Sequence, residues 1–325
     1  WGTAGVLVLV LAAPAVFFIV GHLFVLRLPK AKDGLASLAE MSGELRGMAA
    51  MGLAVMVSAL ATVSGQLLVR VIVQQELGSA PLGFFQAAFA ISTTYLGLVF
   101  TAMGTDYFPR LSGVIATPAT AARLVNEQTE VGLLLCGPVL IGVLGLAPWV
   151  VELLYSSEFA PAVRILRWQL LGDILKVMSW PLGFVLLALG AGKAFTLAET
   201  IGVAVLVLGT WFGMVPFGLA SPGIAYFAMY VIYLPLVYWL CNRRIGVRWS
   251  RAVMVQASAI LGAAVFVDIL ASWSIWFGAI GGILCATMLG LWAVLRISEM
   301  AELGGRLAKL AGFSRKLKQW LTTRS

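Results

Sequence analysis

Charged side chains are scarce in this sequence. Only 11% of the residues are charged, whereas 61% are hydrophobic, and the mean hydropathy is +0.99. Soluble domains carry about 25% charged residues, so this composition excludes a soluble protein. The basic residues outnumber the acidic ones by 22 to 14, which gives a net charge of +8. In so apolar a chain, this excess indicates loops facing anionic lipid and no nucleic-acid partner.

Residues that bind metals or perform catalysis are equally rare. The sequence has one histidine, His22, and three cysteines, Cys136, Cys241 and Cys285, none at the spacing of a metal or redox site. We therefore expect no cofactor, and interpret the cysteines as packing residues. The segment "GAGKA" at 190–194 lacks the Walker spacing and the hydroxyl residue of a phosphate-binding loop. The chain is predicted not to be an enzyme.

Apolar runs dominate what is present. Each is about 20 residues long, which is enough for a helix to cross roughly 30 Å of hydrocarbon. The runs are continuous, whereas a membrane β-barrel requires alternation. The sequence thus predicts an all-α, polytopic helical membrane protein with about nine transmembrane helices: 5–26, 48–73, 82–104, 131–154, 168–190, 194–217, 222–241, 252–271 and 274–296. The longest hydrophilic connection, at about 105–130, is too short for a separate domain.

The basic residues predict the orientation of these helices. If the loop 27–46 is cytoplasmic, nearly all loop arginines and lysines fall on the cytoplasmic side, as the positive-inside rule requires. Only Arg164 and Arg167 lie in outside segments, and the C-terminus is cytoplasmic. Residues 27–46 are predicted to form an amphipathic cytoplasmic linker, and residues 297–325 a basic amphipathic tail lying on the inner leaflet. Glycines in the tail leave a frayed, irregular segment as the alternative.

Polar residues inside the predicted helices point to a functional site. Gln169, Asp173, Lys176 and Trp180 project to one face of the helix at 168–190. A charge at the centre of a membrane helix costs about 2.5–3.5 kcal/mol on insertion scales, so this face should avoid lipid. It either lines a wet cavity or forms an internal ion pair between Asp173 and Lys176.

A second polar face lies on the helix at 48–73. Thr62, Gln66 and Arg70 recur every four residues, and we expect them to share the cavity with the first face. Snorkelling of Arg70 to the interface is the alternative. Further candidates are Glu199, about one turn inside the cytoplasmic end of its helix, and an aligned tyrosine set that is either a sugar-stacking surface or an interfacial belt: Tyr226, Tyr230 and Tyr233.

Two segments resemble a known family of membrane proteins. These are "LGSAPLGFFQAAFAISTTYLGLVFTAMGTDYFPRLS" at 77–112 and "SSEFAPAVRILRWQLLGDILKVMSWPLGFVLLALGAGKAF" at 156–195. Both resemble the Wzx-type flippases of O-antigen and enterobacterial common antigen, within the superfamily that also contains the MATE exporters and the lipid II flippases. The long second segment is the more specific of the two.

The resemblance implies a MATE-like flippase fold. Residues 47–242 would form the C-terminal six-helix lobe, and residues 1–26 the last helix of an N-terminal lobe that is otherwise missing from this sequence. Residues 252–296 would be two additional transmembrane helices beyond the usual twelve of the family.

The resemblance also implies a function: transport of an undecaprenyl-pyrophosphate-linked oligosaccharide across the bacterial inner membrane by alternating access. Arg70 and Lys176, with Gln66 and Trp180, would bind this substrate, while Asp173 and Glu199 would serve coupling or charge balance. The expected partners are the lipid-linked oligosaccharide, membrane lipids, and a polysaccharide polymerase or chain-length regulator. A lipid II flippase and a MATE-type cation-coupled multidrug exporter stay open as alternatives.

Overall fold

The computed structural model describes residues 2–26 and 38–304, and every regular element within those ranges is a helix. Two short 3-10 turns, Ser157–Phe159 and Gly218–Ala220, flank the sixth and seventh α-helices. The α-helices are α1 (Gly2–Val25), α2 (Leu38–Leu77), α3 (Ser79–Val114), α4 (Pro118–Gly145), α5 (Ala147–Leu154), α6 (Ala162–Ala188), α7 (Gly192–Phe217), α8 (Ser221–Ile245), α9 (Arg251–Trp273) and α10 (Ile275–Gly304).

These helices confirm the predicted fold class. Seven described stretches are long and apolar enough to cross a membrane, and one of them, Gly192–Ile245, contains both α7 and α8. The 24 residues of α1 would extend about 36 Å at 1.5 Å per residue, and its core Pro14–Phe24 is a shorter apolar helix. The described helices therefore agree with about nine crossings. The chain divides into two compact units, Trp1–Met48 and Ala49–Ser325.

The structure contradicts the prediction of a long hydrophilic connection at 105–130. The α3 helix continues to Val114 and α4 begins at Pro118, so only a tight turn separates them. Tyr107 and Leu111, inside the supposed loop, are completely buried. The moderate polarity of this stretch reflects long helices extending beyond the hydrocarbon, because such helices need apolar residues only on the faces that pack together.

The predicted single helix at 131–154 is also divided. The α4 helix ends at Gly145, and the short α5 begins at Ala147. Pro148 occupies one of the first positions of α5. Proline lacks the backbone N–H and disfavours helical geometry in the preceding residue, so the chain restarts its helix there.

The α6 helix lies at the centre of the second unit. It packs against α3, α4 and α8, while α7 packs on α8, and α9 and α10 pack on α4. One apolar core joins α4, α6 and α9 around residues such as Ile141, Leu166 and Ile260. The other joins the opposite ends of α3, α6 and α8 around residues such as Leu111 and Val185. Because of this central position, side chains on two faces of α6 are withdrawn from lipid.

The α9 and α10 helices are attached to α4 in its middle and at its C-terminal end. Near the middle, Arg296 donates from Nε to Glu130 Oε1 at 2.7 Å, and Gln256 donates to the same oxygen at 3.2 Å. At the C-terminal end of α4, Gly145 and Gly282 meet so closely that a Cβ on Gly282 would lie 2.7 Å from the Gly145 Cα. Small residues and buried polar contacts are the usual means of helix association in lipid.

The basic segment between α8 and α9 is hydrogen-bonded to α4. The Asn126 side chain donates to the Arg248 carbonyl at 3.0 Å and accepts from the Ser250 N–H at 2.7 Å. Residues 38–46 of the predicted linker are the first turns of α2, and 297–304 are the last turns of α10. The remainder of the linker, 27–37, and of the tail, 305–325, lies outside the described residues.

Candidate functional site

A cavity of about 430 Å³ lies within the second unit, with walls formed by α2, α3, α6, α7 and α8. Four of the six predicted site residues line it: Gln66, Lys176, Trp180 and Glu199. The lining includes Thr62, Gln66, Thr93, Lys176, Ser179, Trp180, Glu199, Tyr226, Tyr230 and Tyr233, together with apolar residues such as Phe89, Phe184, Phe195 and Met229. The cavity is thus an aromatic chamber with a small number of polar groups.

The wall formed by α2 is fixed to α7 by small residues and hydroxyl groups. Ser58 donates to the Thr196 hydroxyl at 3.1 Å, and Thr196 donates to the Ala54 carbonyl at 3.0 Å. Gly65 faces Val203 with no room for a side chain of its own. These contacts place the polar face of α2 beside the cavity, where Thr62 and Gln66 line it.

Lys176 carries the positive charge of the cavity wall. Its Nζ donates to the Tyr226 hydroxyl at 3.2 Å and lies 5.8 Å from the centroid of the Tyr226 ring. The side chain is only partly buried. An ammonium held by one neutral hydroxyl and the face of an aromatic ring keeps donor capacity for a ligand in the cavity.

Asp173 is withdrawn from the cavity. It is completely buried, and its two carboxylate oxygens accept from two different helices. Ser92 of α3 donates to Oδ2 at 2.6 Å, and Tyr226 of α8 donates to Oδ1 at 2.8 Å. The acid therefore connects α3, α6 and α8 at the back of the cavity.

A direct ion pair between Asp173 and Lys176 was one expectation, and the structure replaces it with a relay through Tyr226. No ion pair within 4.0 Å joins these two described side chains; the contact runs from Lys176 to Tyr226 to Asp173. Spacing of three residues places both groups on one helix face but does not force them together. Gly172 makes the relay possible, because a Cβ there would lie 2.8 Å from the Tyr226 Cδ1.

The second acid, Glu199, does line the cavity. Tyr233 donates to its Oε1 at 2.5 Å. Tyr230 packs edge-on between Tyr226 and Tyr233, with ring centroids 5.1 and 6.1 Å away. The three tyrosines of α8 therefore form a continuous row along the cavity, with Asp173 at one end and Glu199 at the other. The row lies inside the bundle, so it is not an interfacial belt.

Trp180 lines the cavity within an aromatic cluster. Its ring stacks on Phe100 at 4.9 Å and meets Phe184 edge-on at 4.8 Å. Gly104 leaves room for this ring, since a Cβ there would already touch it at 3.4 Å. One edge of the indole is thereby held in place against the cavity.

Arg70 lies away from the main cavity. With Gln66, Gln169 and Tyr226, it lines a separate, much smaller cavity of about 10 Å³. Gln169 is completely buried, and both of its amide atoms are without a hydrogen-bond partner in the described structure. The two polar faces predicted from the sequence therefore meet over two cavities, and Gln66 borders both.

Sequence reasoning missed several residues that shape the site. Nothing in the local sequence distinguishes Ser92 from any other hydroxyl residue in a helix, and nothing marks Gly172 as a packing position. Tyr226 was noticed only as part of an aligned set, because its role depends on a contact between α6 and α8. The Glu130–Arg296 pair joins residues 166 positions apart and was equally invisible.

Comparison with known proteins agrees with the resemblance noted in the sequence. Residues 9–164 match a family model described as polysaccharide biosynthesis protein. Over 171 residues the chain is 25% identical to the lipid III flippases of Escherichia coli K12 and Shigella flexneri. The resemblance to polysaccharide flippases is confirmed. The matched region covers 50% of this chain and 40% of each of these relatives, so the chain spans less than half of their length.

A solved structure with a similar course of helices is a MOP superfamily transporter from Pyrococcus furiosus. It is 15% identical in sequence, with a TM-score of 0.41, over 82% of this chain and 66% of that one.

Proposed function

We propose that this protein moves a lipid-linked oligosaccharide across the bacterial inner membrane, by alternating access, and that the carrier is undecaprenyl pyrophosphate. Such a substrate has three parts with different needs. The prenyl chain stays in hydrocarbon, the sugars require hydrogen bonds and aromatic faces, and the diphosphate requires a cation away from bulk water.

The observation that carries this proposal is the setting of Lys176. Its ammonium group borders a chamber inside the membrane-spanning bundle and is held there by Tyr226 alone among the described side chains. Its nearest acid, Asp173, is already engaged by Ser92 and Tyr226. A partly buried cation that forms no ion pair of its own favours an anionic ligand.

The other cavity groups suit the remainder of such a headgroup. A chamber of about 430 Å³ is within the usual range of small-ligand sites and can hold a diphosphate with a first sugar. Trp180 and the tyrosine row offer aromatic faces, and Gln66 offers an amide. We propose that Arg70, beyond Gln66 in the small cavity, contacts the diphosphate at another stage of transport.

Asp173 and Glu199 are proposed to balance charge or to couple transport to an ion. Both acids are hydrogen-bonded by tyrosines of one helix, α8, at 2.8 and 2.5 Å. Asp173 accepts only from hydroxyl groups, so movement of Lys176 toward a bound anion would take away the positive charge near it. A buried carboxylate in that position favours uptake of a proton or a cation.

The proposed orientation in the membrane follows from the distribution of the basic residues. The basic loops would face the cytoplasm, with the C-terminus on that side. Membrane lipids and a polysaccharide polymerase or chain-length regulator are the proposed partners.

A lipid II flippase would use the same chemistry, since its substrate also carries a prenyl diphosphate. A cation exporter of the MATE type is favoured by one feature, the carboxylate of Glu199 in the cavity wall.

The test is removal of the cavity charge in the full-length protein. Lys176→Gln should lower rescue of surface glycan in a flippase-deficient strain by about tenfold or more, because a charge-assisted hydrogen bond contributes about 1.5–3 kcal/mol. Lys176→Arg should retain part of the activity. The matched control is Lys193→Gln, which removes an exposed lysine at the start of α7.

Membrane abundance of each variant must be measured alongside. Normal rescue by Lys176→Gln at normal abundance would contradict the proposal. If, in addition, Glu199→Gln abolished export of a lipophilic cation, the cation-exporter alternative would replace the flippase proposal.

A further inference from the structure

A second cavity lies on the opposite face of α6 from Asp173 and Lys176. It has a volume of about 470 Å³, and its lining includes Arg164, Arg167, Trp168 and Asp268. At 100° per residue, the two arginines point nearly opposite to the Asp173–Lys176 face. This cavity is therefore separate from the candidate substrate site.

The two arginines have an unusual distribution. They are the only basic residues that the sequence places in outside segments between the predicted helices, and both line this one cavity. The positive-inside rule removes arginine and lysine from that side. Two exceptions in a single cavity indicate that a positive charge is useful there.

The arginines lack counter-ions among the described residues. Asp268 lines the same cavity but forms no ion pair within 4.0 Å with Arg164 or Arg167. The Arg167 Nε is buried and without a hydrogen-bond partner. An unsatisfied guanidinium N–H at a buried position costs free energy that a bound acceptor would recover.

The chemistry of this cavity matches a phosphate group. Guanidinium groups bind phosphate oxygens through paired N–H donors. The cavity adjoins the beginning of α6, whose first turn has no side-chain cap and whose dipole favours an anion. Trp168 is a residue type enriched where membrane meets water. We propose that Arg164 and Arg167 form a phosphate-binding site at the outer surface of the membrane.

Asp268 distinguishes two sources of that phosphate. A zwitterionic phospholipid places an ammonium beside its phosphate, so Asp268 would attract it. A prenyl diphosphate carries only negative charge, so Asp268 would repel it. Asp268→Asn should therefore weaken binding of the zwitterionic lipid and strengthen binding of the diphosphate, and the preference of the unchanged protein between them identifies the source.

The experiment measures binding of two probes to the full chain in detergent, by native mass spectrometry. The probes are a short-chain phosphatidylethanolamine and farnesyl diphosphate. Arg164→Gln and Arg167→Gln should each weaken binding of at least one probe by about tenfold. Arg164 is exposed, so its variant tests the site without disturbing the fold. Arg123→Gln, which removes an arginine with a 75% exposed side chain elsewhere, is the control and should change nothing.

Each outcome decides the matter. If the unchanged protein binds phosphatidylethanolamine more tightly and Asp268→Asn removes that preference, the site is assigned to phospholipid. If the unchanged protein binds farnesyl diphosphate more tightly and Asp268→Asn increases that preference, the site is assigned to a prenyl diphosphate. If Arg164→Gln and the Arg123→Gln control retain both probes equally, the site does not exist. Because no transport is measured, failure here leaves the role of Lys176 unaffected.

Discussion

Tyr226 lies between Lys176 and Asp173 and bonds to both. Its hydroxyl accepts from the lysine Nζ at 3.2 Å and donates to the aspartate Oδ1 at 2.8 Å. A hydroxyl has one proton to donate and two lone pairs, so a single group can serve a cation and an anion together. The cation thereby faces the cavity while the anion is kept among the helices. Removing the hydroxyl should disturb both.

Tyr226→Phe should impair transport more than it impairs folding. Lys176 loses its partner and Asp173 loses one of two donors, at a cost of about 1–3 kcal/mol for the unsatisfied carboxylate. Surface-glycan rescue and thermal unfolding in detergent should be measured on the same variant. The matched control is Tyr238→Phe, where the ring stacks on Trp249 away from the cavity. Equal effects of the two substitutions would contradict a special role for Tyr226.

Gly172→Ala should displace Tyr226 without touching any charge. The new Cβ would lie 2.8 Å from the Tyr226 ring and 3.3 Å from the Phe227 Cα, so α6 and α8 must separate or the ring must move. Overpacking of this kind costs about 1–3 kcal/mol. Gly183→Ala, on the same helix, meets Phe195 at an ordinary 3.8 Å and is the control. The temperature of thermal unfolding should fall clearly in Gly172→Ala and stay unchanged in Gly183→Ala.

Gly282→Ala should loosen α10 from α4. The added Cβ would lie 2.7 Å from the Gly145 Cα, and backbone cannot move aside as a side chain can. We expect a loss of about 1–3 kcal/mol in unfolding free energy. Gly262→Ala, where the Cβ meets nothing within 4 Å, should be neutral or slightly stabilising. Similar stability of the two variants would show that the contact contributes little.

Cysteine labelling should report Ser79 and Arg244 on opposite sides of the membrane. Both residues are exposed, one at the start of α3 and the other near the end of α8. The native Cys136, Cys241 and Cys285 would first be replaced by alanine. An impermeant maleimide applied to intact cells should modify a cysteine at position 79 and spare one at position 244. Modification of both from the outside would overturn the predicted orientation.

The arrangement of the polar face on α6 was only partly predictable. Helical periodicity correctly grouped Gln169, Asp173, Lys176 and Trp180, because it depends only on local geometry. It could not say which would reach a cavity. The structure places Lys176 and Trp180 in the cavity of about 430 Å³, Gln169 beside the cavity of about 10 Å³ and Asp173 in neither. That division depends on the helices packed on each side of α6.

The sequence by itself determined that this is a helical membrane protein, because the cost of exposing backbone or charge to hydrocarbon is imposed residue by residue along the chain. It also determined which residues share a helix face. Only the tertiary structure decided that Tyr226 separates Asp173 from Lys176, that Gly172 makes room for it, and that Glu130 binds Arg296. These contacts join distant parts of the chain, and packing of whole helices, which no local pattern encodes, brings them together.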